Sequence, residues 1–335
     1  MQLSILIVNY KSSRFISDCL HSADAALLAN QQVEWIVIDN CSGDDSKSFL
    51  TTAFPFIKWV DMGYNAGFAR ANNAGMRLAL GENILLLNPD TLLLPGSIEA
   101  CLTRFKASDH VACGVQLVHK NLMPQFSGSY FMKGGINHLL PLPYWGGLLK
   151  QLAGFLKTEK PAIITATTEQ NLDWISGAFL MVKKLAIENI GMMDEDFFLY
   201  AEEVEWCSRL RKLGTICIYG DIKIIHLIGE TIKDATNALD NSYTNLYDKK
   251  ARQLILSNHV RIRKQYGIFW FLFQLLNYTW AIPFALIVSF FKHLLELKNP
   301  FLEFANIARL FRNVLEVWKL SFTIIANKEH FYKCI

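Results

Sequence analysis

The stretch that most constrains this chain is Leu85-Leu86-Leu87-Asn88-Pro89-Asp90-Thr91, an apolar run that ends abruptly in a carboxylate. Ile84 to Leu87, uninterrupted and bounded by turn formers, predicts a strand buried on both faces of a parallel sheet. Pro89 stops it, because proline brings no amide hydrogen to a ladder and biases Asn88 toward an extended conformation. Asp90 is thereby carried past the strand's carboxyl end, the edge along which open α/β sheets bind ligands. A carboxylate held there suits a hard divalent cation of the kind shared with substrate phosphates. It suits equally a turn in which it caps a backbone amide.

The rest of the chain is placed relative to that strand. Leu3 to Asn9, Val33 to Ile38 and Lys58 to Met62 read as further strands. Between them Phe15, Ile16, Cys19, Leu20, Ala23 and Leu27 recur at helical spacing, and Asp44 to Ser46 can cap a helix running through Phe54. A helix from about Phe68 to Leu80 has Gly81 as its stop, and another runs from Ser97 to about Ala107. This alternation predicts a parallel sheet with helices on both faces. Val111 to Val118 adds a fifth strand, then Met123 to Thr168 loses periodicity at Gly134-Gly135, Pro141, Pro143 and Gly146-Gly147. Its apolar part, Ile136 to Phe155, is an excursion that covers a site or lies on a membrane. Trp174 to Val182 returns as a strand, Glu202 to Leu213 is a helix closed by Gly214, and Thr215 to Tyr219 and Lys223 to Ile228 are strands, the second carrying His226.

Several classes are disfavoured. A net charge of +3 with no basic run interleaved with aromatics excludes nucleic acid as the expected partner. No GxGxxG follows the first strand and no GxxxxGK[ST] occurs anywhere, which argues against dinucleotide and P-loop sites. The seven cysteines are irregularly spaced without a CxxC pair, and are expected to be buried thiols in a reducing compartment. Met1 to Tyr10 has no basic region before it and reads as a strand, not a signal peptide.

The C-terminal third is different. Gly267 to Phe291 is uncharged and, at about 1.5 Å per residue, long enough to cross a bilayer core of about 30 Å. Gln274, Asn277, Thr279, Pro283 and Ser289 interrupt it, so a crossing span, an interfacial or re-entrant helix pair and a buried helix all stay open. Phe301 to Ala326 is amphipathic with Arg309, Arg312 and Lys319 on its polar side, a pattern that favours an anionic membrane surface. The expected division is an α/β domain over residues 1–230 and a helical, membrane-associating region over 231–335.

Three polar clusters fall at predicted carboxyl ends of strands: Asn9-Tyr10, Asp39-Asn40-Cys41-Ser42 and Asn88-Pro89-Asp90. In a parallel sheet these ends share one edge and converge on one crevice. Bland readings stand beside each: Asp39 as a turn former, Asn65 as a left-handed residue, His226 as a buried strand histidine, Trp174 as core. Glu202, Glu203 and Glu205 are the acids that a helix's first turn favours, with Arg209, Arg211 and Lys212 toward its other end. Adjacent helical residues point about 100° apart, so at most one of Glu202 and Glu203 faces the crevice.

In order, VNY, IDNCSGDDS, NAGFARANNAG, LLNPDT, WISGAFLMV, DEDFFLYAEEVEWCSRLRKLG and IIHLIGET resemble the motifs of family 2 glycosyltransferases with the GT-A fold. The likeness covers residues 1 to about 230 and is nearest to the bacterial rhamnosyltransferase-like branch that builds surface polysaccharides. It implies a mostly parallel α/β sheet flanked by helices, with the helical C-terminal region as an extension. It implies that Asp39 hydrogen-bonds the pyrimidine of a sugar nucleotide and that Asn9, Asn40 and Asn65 line the base and ribose. Asn88-Pro89-Asp90 matches the metal motif with asparagine for its first aspartate, making Asn88 a nucleotide-sugar contact and Asp90 the direct ligand to Mg²⁺ or Mn²⁺. His226 corresponds to a second metal ligand, and Trp174, Gly177 and Glu202 fall on the acceptor side. Glu203 maps to the catalytic base, a glutamate where the family usually has aspartate.

The implied activity is inverting transfer of rhamnose or a similar hexose from a nucleoside-diphosphate sugar to a lipid-linked saccharide, at the cytoplasmic face of a bacterial inner membrane. The competing expectation is a membrane-tethered nucleotide-sugar-binding scaffold with weak or no turnover, supported by the substitution at Glu203.

Overall fold

The computed structural model of the protein describes residues 1–155, 165–227 and 245–335. They form two compact units, the first from residues 1–130, 165–195 and 203–227, the second from 131–155, 196–202 and 245–335. The expected boundary at residue 230 lies outside the described residues.

The first unit is built on one sheet. Its strands are β1 Leu3–Asn9, β2 Val33–Asp39, β3 Lys58–Asp61, β4 Asn83–Leu87, β5 Thr91–Leu93, β6 Ala112–Val118, β8 Glu169–Leu172, β10 Phe179–Lys183 and β11 Ile216–His226. The order is β3-β2-β1-β4-β10-β6-β11-β5, with β8 also on β11, while β7 Gly128–Ser129 pairs separately with β9 Trp174–Ile175. Strands β3, β2, β1 and β4 are mutually parallel, as the alternation of apolar runs and helical spacings predicts. Every residue of β4 is buried, and β1 is buried apart from half-buried Val8, as befits central strands.

The far half departs from the parallel expectation. Strand β10 runs antiparallel to both β4 and β6, so the sheet is mixed. Side-chain period reports burial and not direction, and β10 is entered from β9 through the three residues Ser176-Gly177-Ala178, not from a helix. The expected single strand Trp174 to Val182 breaks at Ser176-Gly177-Ala178, and its first two residues pair with β7 instead. Conversely the two strands expected from Thr215 onward are one, β11, with an irregularity between Tyr219 and Lys223. Gly220 is required there, because a Cβ would meet the Ala166 carbonyl carbon at 2.4 Å.

Helices Ser13–His21, Ser46–Ala53, Gly67–Leu78 and Ser97–Lys106 connect the strands. Gly81 is not the cap of the third, which ends at Leu78; the glycine lets the chain pass beside β1, where a Cβ would sit 2.5 Å from the Ser4 nitrogen. Five of the seven free cysteines are buried as expected, but Cys334 is half-buried and Cys41 is exposed in a left-handed turn after β2.

The second unit is helical: Lys249–Tyr266, Ile268–Leu295 and Phe304–Ile325 pack together with the 3-10 segment Lys133–Leu139 and a helix Trp145–Phe155. The last of these forms despite Gly146-Gly147, because tertiary contacts override local propensity. The Trp145 indole donates to Asn277 Oδ1 at 3.0 Å and its ring meets Phe284 edge-on at 5.3 Å. Ile268–Leu295 is one continuous helix through Pro283, which removes the helix-pair reading. By length and composition it is able to cross a membrane. It buries Phe271, Leu275, Tyr278 and Ala281 within its unit and exposes Phe269, Leu276, Trp280, Ile287 and Phe291.

Candidate active site

The parallel strands bring the predicted polar clusters to one edge. Asn9 is in register with Asp39, and Leu6 with both Ile36 and Leu86, so β1 lies between the strand ends that carry Asp39 and Asp90. Two strand spacings put those carboxylates on the order of 10 Å apart on the same side. Asn9 is fully buried and its amide donates to Asp39 Oδ1 at 2.7 Å and to Ser42 Oγ at 3.0 Å. Ser42 adds a hydroxyl bond to Asp39 Oδ1 (2.6 Å) and a backbone bond to Oδ2 (3.2 Å). These contacts fix Asp39 against rotation. Asn40 works inward: its Oδ1 accepts from Ala66 N at 2.7 Å and its Nδ2 donates to Asn65 Oδ1 at 3.0 Å, tying the loop before helix Gly67–Leu78 to the sheet edge.

Asp90 sits in the turn from β4 to β5, anchored by a bond from Leu227 N to its carbonyl at 2.8 Å. Its side chain is buried and, among the described residues, Oδ1 makes no hydrogen bond, yet it lies 3.4 Å from His226 Nε2. Gln125 determines what that nitrogen presents. The Gln125 amide nitrogen donates to the His226 carbonyl at 2.6 Å, which fixes the amide's orientation and directs its oxygen to His226 Nδ1 at 3.2 Å. A carboxamide oxygen only accepts, so Nδ1 carries the proton and Nε2 keeps its lone pair. Asn88 Nδ2 lies 3.4 Å from the same Nε2. A carboxylate oxygen without a hydrogen bond facing an imidazole lone pair is a donor set that fits a divalent cation.

Beside it a cavity of about 640 Å³ is lined by Phe15, His119, Lys120, Asn121, His226 and Leu227. Neither Gln125 nor His119 was marked by the sequence motifs. Gln125 lies in the aperiodic segment, and its role arises from residues distant in sequence.

The acids of helix Glu202–Leu210 separate by environment. The helix starts abruptly after Tyr200 and Ala201, both left-handed at φ 69° and 67°, a strain of about 1–3 kcal/mol each that the surroundings must hold. Glu202 is buried and Glu203 half-buried, as the 100° turn per residue requires. Glu205 answers the bland reading: it pairs with Arg209 at 2.8 Å, and Arg209 also donates to the carbonyls of Ile190 and Met192. Gly177 leaves room next to Glu203, since a Cβ there would stand 3.7 Å from the Glu203 Cβ and 3.5 Å from the Phe68 ring. Trp174 is half-buried, not core, and lies 5.3 Å from the exposed Phe126 ring.

NAGFARANNAG supplies a clamp that its pattern did not announce. Asn73 exchanges bonds with Met193 (2.8 and 3.1 Å), Arg70 donates to the Glu195 carbonyl at 2.9 Å, and Arg77 pairs with the Glu195 carboxylate. Burial would raise the Glu195 carboxyl, but the bonds from Asn73 and Arg77 outweigh it and hold it below its usual range. The clamp therefore stabilises the fold above about pH 4.3, the ordinary glutamate pKa, and is lost as the pH falls through the lower folded value.

The sequence model of glycosyl transferase family 2 matches residues 4–137, which contain Asn9, Asp39, Asn65, Asp90 and Gln125. The low-salt glycan biosynthesis hexosyltransferase Agl10 of Haloferax volcanii is 28% identical over 256 residues, spanning 75% of this chain and 74% of the relative. The N-acetylglucosaminyl-diphospho-decaprenol L-rhamnosyltransferase of Mycobacterium tuberculosis is 24% identical over 232 residues, 65% of this chain and 73% of that one. Among solved structures, the mannosyltransferase PcManGT from Pyrobaculum calidifontis, in complex with GDP-Man and Mn²⁺, superposes with a TM-score of 0.54 at 14% identity, covering 95% of this chain and 87% of that one. That likeness concerns the fold. Residues 4–137 thus match glycosyl transferase family 2, the chain is similar to hexosyl- and rhamnosyltransferases over 65–75% of its length, and it has the GT-A fold.

Proposed function

We propose that the protein transfers rhamnose or a similar hexose from a nucleoside-diphosphate sugar to a lipid-linked saccharide, with inversion at the anomeric carbon. The observation that carries this reading is the pair Asp90 Oδ1 and His226 Nε2, 3.4 Å apart, with Gln125 holding the histidine's proton on the other nitrogen. These two atoms would hold a divalent cation, and a nitrogen in the set suits Mn²⁺ better than Mg²⁺. Such an ion, when bound, neutralises charge on the departing diphosphate.

The chain's own groups do the rest. Asp39, rigidly held by Asn9 and Ser42, accepts from the pyrimidine. Glu203 removes the proton from an acceptor hydroxyl whose approach Gly177 leaves open, and Trp174 is assigned to the same acceptor side. The acceptor oxygen then bonds to the anomeric carbon while the bond from that carbon to the diphosphate oxygen breaks, its electron pair leaving with the nucleoside diphosphate. Attack from the face opposite the leaving group inverts the centre without a covalent enzyme intermediate. The exposed apolar side of Ile268–Leu295 and the basic amphipathic helix Phe304–Ile325 support a lipid-linked acceptor and residence at a membrane surface, which this reading assigns to the cytoplasmic face. The test is to incubate the purified protein with Mn²⁺ and a panel of dTDP- and UDP-sugars and to measure nucleoside diphosphate release and transfer to a lipid-linked saccharide. Release and transfer from one donor are expected; transfer from none would reject the reading.

The role given to Gln125 predicts a defect in cation affinity. Gln125→Leu frees the His226 tautomer and should weaken Mn²⁺ binding about 10- to 100-fold by calorimetry. Gln125→Glu restores an acceptor for Nδ1 and should recover most of the affinity. Equal affinity in Gln125→Leu and the native protein would contradict the assignment.

A further inference from the structure

The helical second unit has a cavity of about 430 Å³ bordered by Lys249, Arg252, Arg309 and Arg312. The lining has one carboxylate, Asp248, and it is committed: Oδ1 accepts from Ala251 N at 2.6 Å as a helix cap and Oδ2 from Asn245 at 3.1 Å. Among the described residues none of the four cations makes an ion pair. Two of the guanidinium groups are held by neighbours, Arg309 donating to Asn306 Oδ1 at 3.4 Å. Asn313, which is buried, accepts from Arg252 Nε at 3.2 Å while its own amide donates to the carbonyls of Leu246 and Asp248. Four cations against one engaged carboxylate, three of them guanidinium forks, match a phosphate or diphosphate.

The helix that supplies Arg309 and Arg312 indicates what carries that phosphate. At about 100° per residue, Phe311, Trp318 and Phe322 form one strip of helix Phe304–Ile325, Arg312 and Lys319 lie roughly a right angle round from it, and Arg309 further round the same way. The aromatic strip is exposed, Phe322 by 85%, whereas Ile307, Leu310, Val314 and Val317 are packed inside. An exposed apolar strip beside a basic one seats a helix at the level of lipid head groups.

We propose that this cavity binds a phosphate carried on a lipid, either the head group of an anionic phospholipid or the diphosphate of a polyprenyl-linked saccharide. It rests on the membrane-facing role proposed for this unit and is independent of the chemistry assigned to Asp90 and Glu203. The test is co-sedimentation of the full chain with vesicles of phosphatidylcholine alone, with added phosphatidylglycerol, or with added polyprenyl diphosphate. The native protein should bind at least one of the charged vesicles much more tightly than the neutral one. Retention by phosphatidylglycerol identifies the general head group; retention by the polyprenyl diphosphate alone identifies the substrate's.

Removing two surface cations costs about 30-fold wherever they lie. Lys298→Ala with Lys319→Ala, a pair outside the cavity, should show no more than that. Arg309→Ala with Arg312→Ala should exceed it at least tenfold, and inorganic pyrophosphate should compete with the native protein only. Equal losses in the two double variants would reduce the cavity to unselective surface charge and overturn the proposal. Phe311→Ser with Phe322→Ser separates the premise, since unchanged binding in that variant would remove the membrane-facing role itself.

Discussion

Asp90→Asn is expected to leave the protein folded and to lower transfer about a thousandfold, a barrier increase of about 4 kcal/mol. The carboxylate is 2% exposed and, among the described residues, its Oδ1 makes no hydrogen bond, so an amide there forfeits no hydrogen bond at that atom. Asparagine keeps the shape of the turn and removes a buried charge facing the His226 lone pair. The thermal midpoint should therefore hold or rise while turnover collapses, which separates a ligand from a structural turn residue. Nucleoside diphosphate release under saturating Mn²⁺, beside a melting curve, checks both. Turnover within tenfold of the native protein would return Asp90 to the capping role that its sequence position also allows.

The second large effect is at Glu203. Glu203→Gln should reduce transfer by about a thousandfold, within the range for loss of a general base, and leave donor affinity unchanged. Glu205→Gln, two residues on, should do the opposite. Its partner Arg209 would lose an ion pair while still bound to the carbonyls of Ile190 and Met192. The expected outcome is a loss of about 1–3 kcal/mol in stability with kcat retained. If Glu203→Gln turns over normally, another group must take the proton.

These contrasts follow from how much of the site lies in local pattern. The edge that gathers Asn9, Asp39 and Asp90 was legible because buried parallel strands are unbroken apolar runs and the residues that end them are turn formers. That Glu202 and Glu203 point apart was legible because it depends only on helix geometry, whereas which of them serves the crevice was not. The direction of β10 was not, since an apolar run reads the same whether its neighbours run with it or against it. Nor was Gln125: it stands among aperiodic residues, and only the return of β11 beside β6 brings His226 to it. Arg70 and Asn73 stand within NAGFARANNAG, yet what they grip, the Met193 to Glu195 loop, is distant in sequence. Trp145–Phe155 formed against its glycines through contacts with Asn277 and Phe284, which no window of the chain contains.

The central claim is that Asp39 reads the base and that Asp90 with His226 grips the diphosphate through one cation. Calorimetric titration of a pyrimidine nucleoside diphosphate, with and without Mn²⁺, tests it in the native protein, Asp39→Ala and Asp90→Asn. Binding to the native protein should depend on Mn²⁺. Each variant should weaken it by at least about tenfold, and Asp90→Asn alone should abolish the dependence on the ion. Equal affinity with and without Mn²⁺, or an Asp90→Asn variant that still responds to it, would contradict the account.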